Sequence, residues 1–154
     1  MEQMQIFLEV AAALNKAGVE YVLVGGYAVI LHGLPRFTED VDLFVRESST
    51  NIALLRRALD TVFHDTSLEE ITVQEIEIYP VIRYASPDGF FIDIIGHLGD
   101  AFTIDDLAYE VIDVAGQPVK VATIETLIRM KSDTVRPRDR HDAEFLARLL
   151  AEKG

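Results

Sequence analysis

Residues 21–28 are YVLVGGYA and residues 36–43 are RFTEDVDL, and these two segments are the clearest indication of the fold class. The first half of YVLVGGYA is apolar and β-branched, which predicts a buried strand that breaks at the two glycines in a tight turn and leads into a helix. In the second stretch, Asp40 and Asp42 lead into another strand. Side chains alternate along a strand, so these two carboxylates should lie on the same side of the sheet.

A third aspartate, Asp93, lies within the apolar run FFIDII of residues 90–95. An isolated charge in such a run is costly unless something compensates it, and a divalent cation would do so. If the strand of Asp93 lies beside the strand of Asp42, three carboxylates meet at one point. Oxygen ligands of this kind suit Mg²⁺ or Mn²⁺.

Each aspartate also has a plainer interpretation. Asp40 is an ordinary residue for a turn, and Asp42 is an ordinary edge-strand residue facing water. Asp93 could pair with an arginine of a neighbouring strand, such as Arg83, because opposite charges across adjacent strands stabilise a sheet. These alternatives stay open at the level of the sequence.

Two features could bind phosphate. Gly25 and Gly26 follow a strand and open a helix, so they offer backbone amides to an anion. Residues 129–140 carry five basic and two acidic side chains, a local net charge of +3 within a chain whose formal net charge is −12. This basic segment is either a solvated helix end or an anion site.

Length and composition limit the classes of protein to consider. With 154 residues, about half of them apolar, we expect one domain over residues 1–154. The chain has no cysteine, no apolar run long enough to cross a bilayer and no basic signal region at its start, so we expect a cytoplasmic protein without a membrane partner. The net charge argues against general affinity for nucleic-acid backbone.

The remaining pattern predicts an α/β (α+β) fold with a mixed β-sheet flanked by helices. Residues 65–78 mix helix formers and strand formers, so the sequence predicts no single secondary structure for them. The predicted elements are a first helix ending at Gly18, strands over 21–24 and 41–45, helices over 28–32 and 49–63, a hairpin over 81–84 and 90–95 around Ser86-Pro87-Asp88-Gly89, a hairpin over 110–122 around Gly116-Gln117, and C-terminal helices from about 123, the last beginning near Asp139.

Together these motifs carry a resemblance. The string Val24-Gly25-Gly26-Tyr27-Ala28, then His32-Gly33, then Arg36-x-Thr38-x-Asp40-x-Asp42-Leu43 resembles the signature of the nucleotidyltransferase-fold superfamily, with Asp93 as its third carboxylate. The Arg-x-Thr-x-Asp-x-Asp form, with Arg136-Pro137-Arg138-Asp139 and Asp142, is similar to the AbiEii-type toxin and related minimal nucleotidyltransferases. The resemblance covers nearly the whole chain and implies a nucleotidyltransferase-like mixed sheet.

The resemblance also implies a reaction. Asp40 and Asp42 would hold two Mg²⁺ (or Mn²⁺) ions, and Asp93 would hold one of them and help to remove a proton from an acceptor hydroxyl. The acceptor oxygen would then attack the α-phosphorus of a nucleoside triphosphate, and pyrophosphate would leave. The acceptor would be RNA such as tRNA, a protein or a small molecule, and a toxin role would add an antitoxin protein as partner.

The phosphate contacts follow from the same resemblance. Gly25 and Gly26 would cradle the β- and γ-phosphates, while Lys131 and Arg138 would contact the triphosphate. Two positions depart from the pattern, because many members have serine where this chain has Gly26, and the AbiEii type has lysine where it has Arg138. Asp139 and its neighbour Asp142 fit a helix N-cap and its N3 position as well as any catalytic role.

Two other functions compete with an active transferase. The first is a catalytically silent module of the same fold that binds a nucleotide or a partner protein. The second is a metal-dependent hydrolase, in which a Gly-Gly phosphate cradle would have less purpose. Intact Asp40, Asp42 and Asp93 favour the enzyme over the silent module.

Overall fold

The computed structural model describes residues 3–34, 40–99, 102–131 and 137–153. These residues form helices and strands that are intermixed along the chain. The elements are α1 (Gln3–Ala17), β1 (Tyr21–Val24), α2 (Gly25–Leu31), β2 (Asp40–Val45), α3 (Ser49–Phe63), a 3₁₀ helix (Thr66–Glu70), α4 (Val73–Ile78), β3 (Ile82–Ala85), β4 (Phe91–Ile95), a 3₁₀ helix (Ile104–Asp106), β5 (Tyr109–Val114), β6 (Gln117–Ala122), α5 (Ile124–Lys131) and α6 (Pro137–Lys153).

The strands form one six-stranded sheet in the order β3-β4-β2-β1-β6-β5. The strand β2 pairs antiparallel with β1 and parallel with β4, while β1 pairs parallel with β6. Two hairpins, β3–β4 and β5–β6, complete the two edges. The sheet is therefore mixed and flanked by helices, which confirms the predicted fold class.

The middle of the sheet is the apolar core. Val22 and Leu23 of β1 are buried, as are Val41 and Leu43 of β2 and Ile92 of β4. Helix α1 packs against α3 and β6, and α2 lies against β1 and β2. Burying such side chains contributes about 1.5–3 kcal/mol each, so the two aspartate-bearing strands rest on the most stable part of the fold.

Several predicted boundaries are corrected by the structure. Helix α2 begins at Gly25, three residues before the predicted start, so both glycines belong to its first turn. The β5–β6 turn consists of Ala115 and Gly116, both with positive φ, in place of Gly116-Gln117. Helix α6 begins at Pro137, so Asp139 is not its N-cap as predicted, and a proline suits the first position of a helix.

Residues 65–78, for which the sequence predicts no single secondary structure, contain two short helices, Thr66–Glu70 and Val73–Ile78. Asp65 caps the first 3₁₀ helix by accepting a hydrogen bond from the backbone amide of Ser67, and Thr72 caps α4 by accepting one from that of Glu75. These caps stabilise the first turn of each helix. The apolar residues of this segment follow neither a helical nor a strand period, so the caps are the main local signal for the two helices. Across the described residues, no helix combines the length and the apolar character that crossing a bilayer requires.

Candidate active site

The register of β2 against β4 places the predicted carboxylates on one face of the sheet. Asp42 lies directly opposite Asp93, and Asp40 lies opposite Phe91. Residues directly opposite each other on neighbouring strands, which run about 4.8 Å apart, project to the same face. Asp40 is two residues from Asp42 and projects there as well. The structure thus brings together three aspartates that are far apart in the chain.

Arg83 of β3 lies among these carboxylates. Its Nε donates to Oδ1 of Asp93 at 2.9 Å, and its Nη2 donates to Oδ2 of Asp93 at 3.1 Å and to Oδ2 of Asp40 at 2.9 Å. Its guanidinium carbon lies 5.2 Å from the centre of the Phe91 ring. The hydrogen bond to Asp93, followed by the charges of Asp93 and Asp40, raises the pKa of Arg83 above its ordinary value. The arginine partner considered for Asp93 from the sequence is therefore the one observed.

The carboxylate cluster has the donor chemistry of a divalent-cation site, but Arg83 occupies part of it. Among the described residues, no three carboxylate or imidazole side chains are arranged as a ready-made metal site. The donor set nevertheless suits Mg²⁺ or Mn²⁺, because it consists of carboxylate oxygens from two adjacent strands. A single nitrogen of Arg83 reaches oxygens of both Asp40 and Asp93, so one positive group already bridges the strands. The donor chemistry therefore fits the ion, and in this structure Arg83 contacts three of the donor oxygens.

The backbone of Gly25 lies directly against the carboxylate of Asp42. Its φ is +72°, and a Cβ atom built there would lie 1.9 Å from Oδ2 of Asp42. The position of Val24 opposite Asp42 in the β1–β2 register explains this close approach. Gly25 is therefore required both by its backbone conformation and by the carboxylate against it. Gly26 follows in the first turn of α2.

The basic segment begins in α5, which packs against α2, the helix that starts at Gly25. Arg129 of α5 places its guanidinium carbon 4.9 Å from the centre of the Phe102 ring. Lys131 ends α5 and Arg138 is the second residue of α6, but both side chains lie outside the described residues, as does Arg136. His32, at the end of α2, shares a hydrogen bond of 2.9 Å between its Nε2 and the carbonyl oxygen of Ala122.

Comparison with known proteins places the chain in a family. Residues 3–154 match the model of a family described as "Nucleotidyl transferase of unknown function (DUF2204)". The chain belongs to this nucleotidyl transferase family. The match covers all the strands and helices of the fold, and it supports the superfamily resemblance. It does not reach the narrower AbiEii-type subgroup, which stays a prediction. No curated protein sequence matches this family member.

Solved structures share the fold of this nucleotidyl transferase family member. The lincosamide antibiotic adenylyltransferase LnuA, in its lincomycin-bound form, has 13% identity and a TM-score of 0.59, covering 94% of this chain and 96% of its own. ANT(2'')-Ia in complex with adenylyl-2''-tobramycin has 17% identity and a TM-score of 0.56, covering 97% and 92%. An antigenic nucleotidyltransferase-like protein of Paracoccidioides brasiliensis has 18% identity and a TM-score of 0.60, covering 97% and 76%. Similarity at these identities establishes the fold.

Two contacts of Arg83, with Asp40 and with the Phe91 ring, are not predicted from the sequence. The pairing of Arg83 with Asp93 could be expected from the hairpin, because the turn at Ser86–Gly89 fixes which residues oppose each other. The contact of Arg83 with Asp40 could not, since it depends on which distant strand lies beside β4. The ring of Phe91 beneath Arg83 had no signal in the sequence other than its position two residues before Asp93.

Proposed function

We propose that this nucleotidyl transferase family member moves a nucleoside monophosphate from a triphosphate to an acceptor hydroxyl, using Mg²⁺ or Mn²⁺. The observation that carries the proposal is Asp42 lying opposite Asp93 on parallel neighbouring strands, with Asp40 on the same face. Membership of a nucleotidyl transferase family supports the reaction class. Carboxylates gathered on one face have a clear use if they bind cations.

In this proposal the three aspartates would hold the divalent cations, and Asp93 would also help to remove the proton of the acceptor hydroxyl. The acceptor oxygen forms a bond to the α-phosphorus, the bond from that phosphorus to the β-phosphate oxygen breaks, and pyrophosphate leaves. Asp93 takes up the hydroxyl proton, directly or through a water molecule. Asp40 and Asp42 would hold divalent ions, which when bound neutralise charge that develops on the phosphate oxygens.

The triphosphate contacts in the proposal come from two regions. The amides of Gly25 and Gly26 would bind the β- and γ-phosphates beside Asp42, because the backbone of Gly25 lies directly against that carboxylate. Lys131 and Arg138 would approach the same phosphates from the basic segment. The packing of α5 against α2 supports this arrangement.

We propose a small molecule bearing a hydroxyl group as the acceptor. Two structures of similar fold bear on this choice: an adenylyltransferase bound to lincomycin, and ANT(2'')-Ia in complex with adenylyl-2''-tobramycin. The net charge of −12 disfavours RNA, including tRNA, and favours a neutral or cationic acceptor. A protein acceptor, a toxin role and an antitoxin partner stay predictions. We place the reaction in the cytoplasm, where nucleoside triphosphates are available.

The test uses the full chain with each α-labelled nucleoside triphosphate, Mg²⁺ and a panel of acceptors. The panel holds aminoglycosides, lincosamides, total RNA and total protein. We expect label on one small-molecule class, and an Asp42→Asn variant should transfer at least about 100-fold more slowly, because an electrostatic contact to the transition state is lost. Asp113→Asn, on the opposite edge strand β5, is the control and should transfer normally. Transfer that survives the Asp42 change would refute the assignment.

A second candidate, the silent module, is favoured by one observation. Arg83 already compensates Asp93 and contacts Asp40, so the carboxylates have a cation without any metal. In the same experiment this candidate predicts binding of triphosphate, measured by equilibrium dialysis, with no labelled product for any acceptor. A labelled product that depends on Asp42 would exclude it.

A further inference from the structure

Arg83 makes three hydrogen bonds to carboxylates of the proposed cation site. Two go to Asp93, whose side chain is 15% exposed, and one goes to Asp40, which is 38% exposed. Planar, two-pronged contacts of this kind are the strongest geometry for an arginine and a carboxylate. Arg83 therefore holds both aspartates in fixed positions relative to each other.

Arg83 and a divalent cation would use the same carboxylate oxygens. Both oxygens of Asp93 accept from Arg83, and so does Oδ2 of Asp40. A divalent cation bound to these oxygens would lie close to the guanidinium, and two positive groups at such short range repel each other. Cation binding and the Arg83 contacts are therefore in competition.

The fold leaves room for Arg83 to turn away from the carboxylates. The strand β3 is an edge of the sheet, and the Arg83 side chain is 51% exposed, so it can turn outward without disturbing the core. Its ion pair with Asp40, which is 38% exposed, contributes little to stability, so the bonds to the more buried Asp93 are the ones that a cation must replace. The Phe91 ring, on which the guanidinium already lies, remains available as a contact after the carboxylates are released.

We propose that Arg83 is a positioning residue that competes with the divalent cation: it holds Asp40 and Asp93 together until the cation takes their oxygens, and then turns outward. The inference rests on the proposed function, because it concerns the same site. Arg83 thereby prevents like-charge repulsion between the aspartates and sets the cation concentration at which the site fills.

The experiment measures Mn²⁺ affinity of the full chain by electron paramagnetic resonance, in which free Mn²⁺ is counted directly. We expect Arg83→Gln to bind Mn²⁺ at least about fivefold tighter than the unchanged chain, because the substitution removes a positive group that competes for the same oxygens, and even one ion pair of about 1 kcal/mol corresponds to that factor. Arg83→Lys keeps the charge and should stay within about twofold. A residue that was merely structural would loosen the site when removed, so Mn²⁺ would bind more weakly.

Arg46 provides the matched control. Its side chain is 36% exposed and forms ion pairs with Glu20 and Asp105. Neither of these acids belongs to the proposed site. Arg46→Gln should leave Mn²⁺ affinity unchanged. Equal or weaker Mn²⁺ binding by Arg83→Gln than by the unchanged chain overturns the inference, as does the absence of Mn²⁺ binding in every variant.

A second measurement keeps the inference testable if Arg83→Gln does not fold. In the unchanged chain, the Nε–H group of Arg83 donates to Asp93, so its nuclear magnetic resonance signal should be protected from exchange with water. Saturating Mg²⁺ should shift this signal and remove the protection, while the signal of Arg46 stays in place. A signal of Arg83 that does not respond to Mg²⁺ overturns the inference.

The outcomes separate this inference from the proposed function. If Arg83→Gln binds Mn²⁺ more tightly but the unchanged chain labels no acceptor, the competition stands and the reaction fails. If the unchanged chain transfers nucleotide with Mg²⁺ but the Arg83→Gln affinity does not rise, the reaction stands and the inference fails.

Discussion

Replacing Gly25 by alanine should disable the site while leaving the fold intact. The added Cβ would lie 1.9 Å from Oδ2 of Asp42, and ordinary contact begins at 3.4 Å. Either the carboxylate or the first turn of α2 must therefore shift. A displacement of about 1 Å at a reacting group costs about 100-fold in rate, so kcat/KM for nucleotide transfer should fall by about that factor.

Gly18 provides a control with the same backbone strain and no clash. Its φ is +75° against +72° for Gly25, and a Cβ there has nothing within 4 Å. Each alanine substitution should destabilise the protein by about 1 kcal/mol through the left-handed backbone alone. For a chain of this size that is a fall in Tm of about 2–4 °C. The loss of transfer should appear only in Gly25→Ala.

The assay combines thermal unfolding followed by circular dichroism with Mn²⁺ binding and labelled-nucleotide transfer. Gly25→Ala should bind Mn²⁺ at least about tenfold more weakly, because a neighbour that positions a metal ligand is disturbed. Gly18→Ala should bind and transfer like the unchanged chain. If the two variants have equal Mn²⁺ affinity and equal rates, the contact between Gly25 and Asp42 does not position that carboxylate and the reasoning fails.

Two further predictions concern stability. Asn51 is 3% exposed and its side chain satisfies three backbone groups, so Asn51→Ala should lower the free energy of unfolding in urea by about 2–3 kcal/mol, and a loss below about 1 kcal/mol would contradict this. Hydrogen bonds from the Ser67 side chain, the Ser67 amide and the Tyr84 hydroxyl lower the pKa of Asp65 below 3.8. The ionised Asp65 carboxylate therefore stabilises the fold above pH 3.8, and this stabilisation is lost as the pH falls through the lowered pKa. Asp65→Asn should therefore be less stable than the unchanged chain at pH 7, with a difference in Tm that closes below about pH 3.8. A difference in Tm between Asp65→Asn and the unchanged chain that stays constant with pH would refute this prediction.

The hairpins and the helical periods could be predicted from the sequence because their causes are local. The turn at Ser86–Gly89 and the alternation on each side of it fix the pairing of β3 with β4 within one residue. Helix α2 begins three residues before the predicted start, which the sequence does not indicate because glycine has low helix propensity and a glycine pair usually marks a turn. Here the packing of α2 on β1 and β2 outweighs that propensity.

The candidate site could be predicted only in part, because its geometry is set by distant pairings. The sequence indicates that Asp40 and Asp42 share a face, since the period of a strand is a local property. The neighbour of Asp42 is Asp93, about fifty residues further along the chain. No local pattern specifies that β4 docks on β2, so the contact between Arg83 and Asp40 follows from the topology alone.

The order of the strands has a consequence for how the site is assembled during folding. The β3–β4 hairpin closes a short loop, whereas the parallel pairing of β2 with β4 must close a long one, and long closures come later. Arg83 and Asp93 lie on the same hairpin, so the acid can meet its arginine before the sheet is complete. In that order of events, Asp93 would reach Asp42 already paired with Arg83. The sheet would then close without bringing three uncompensated carboxylates together.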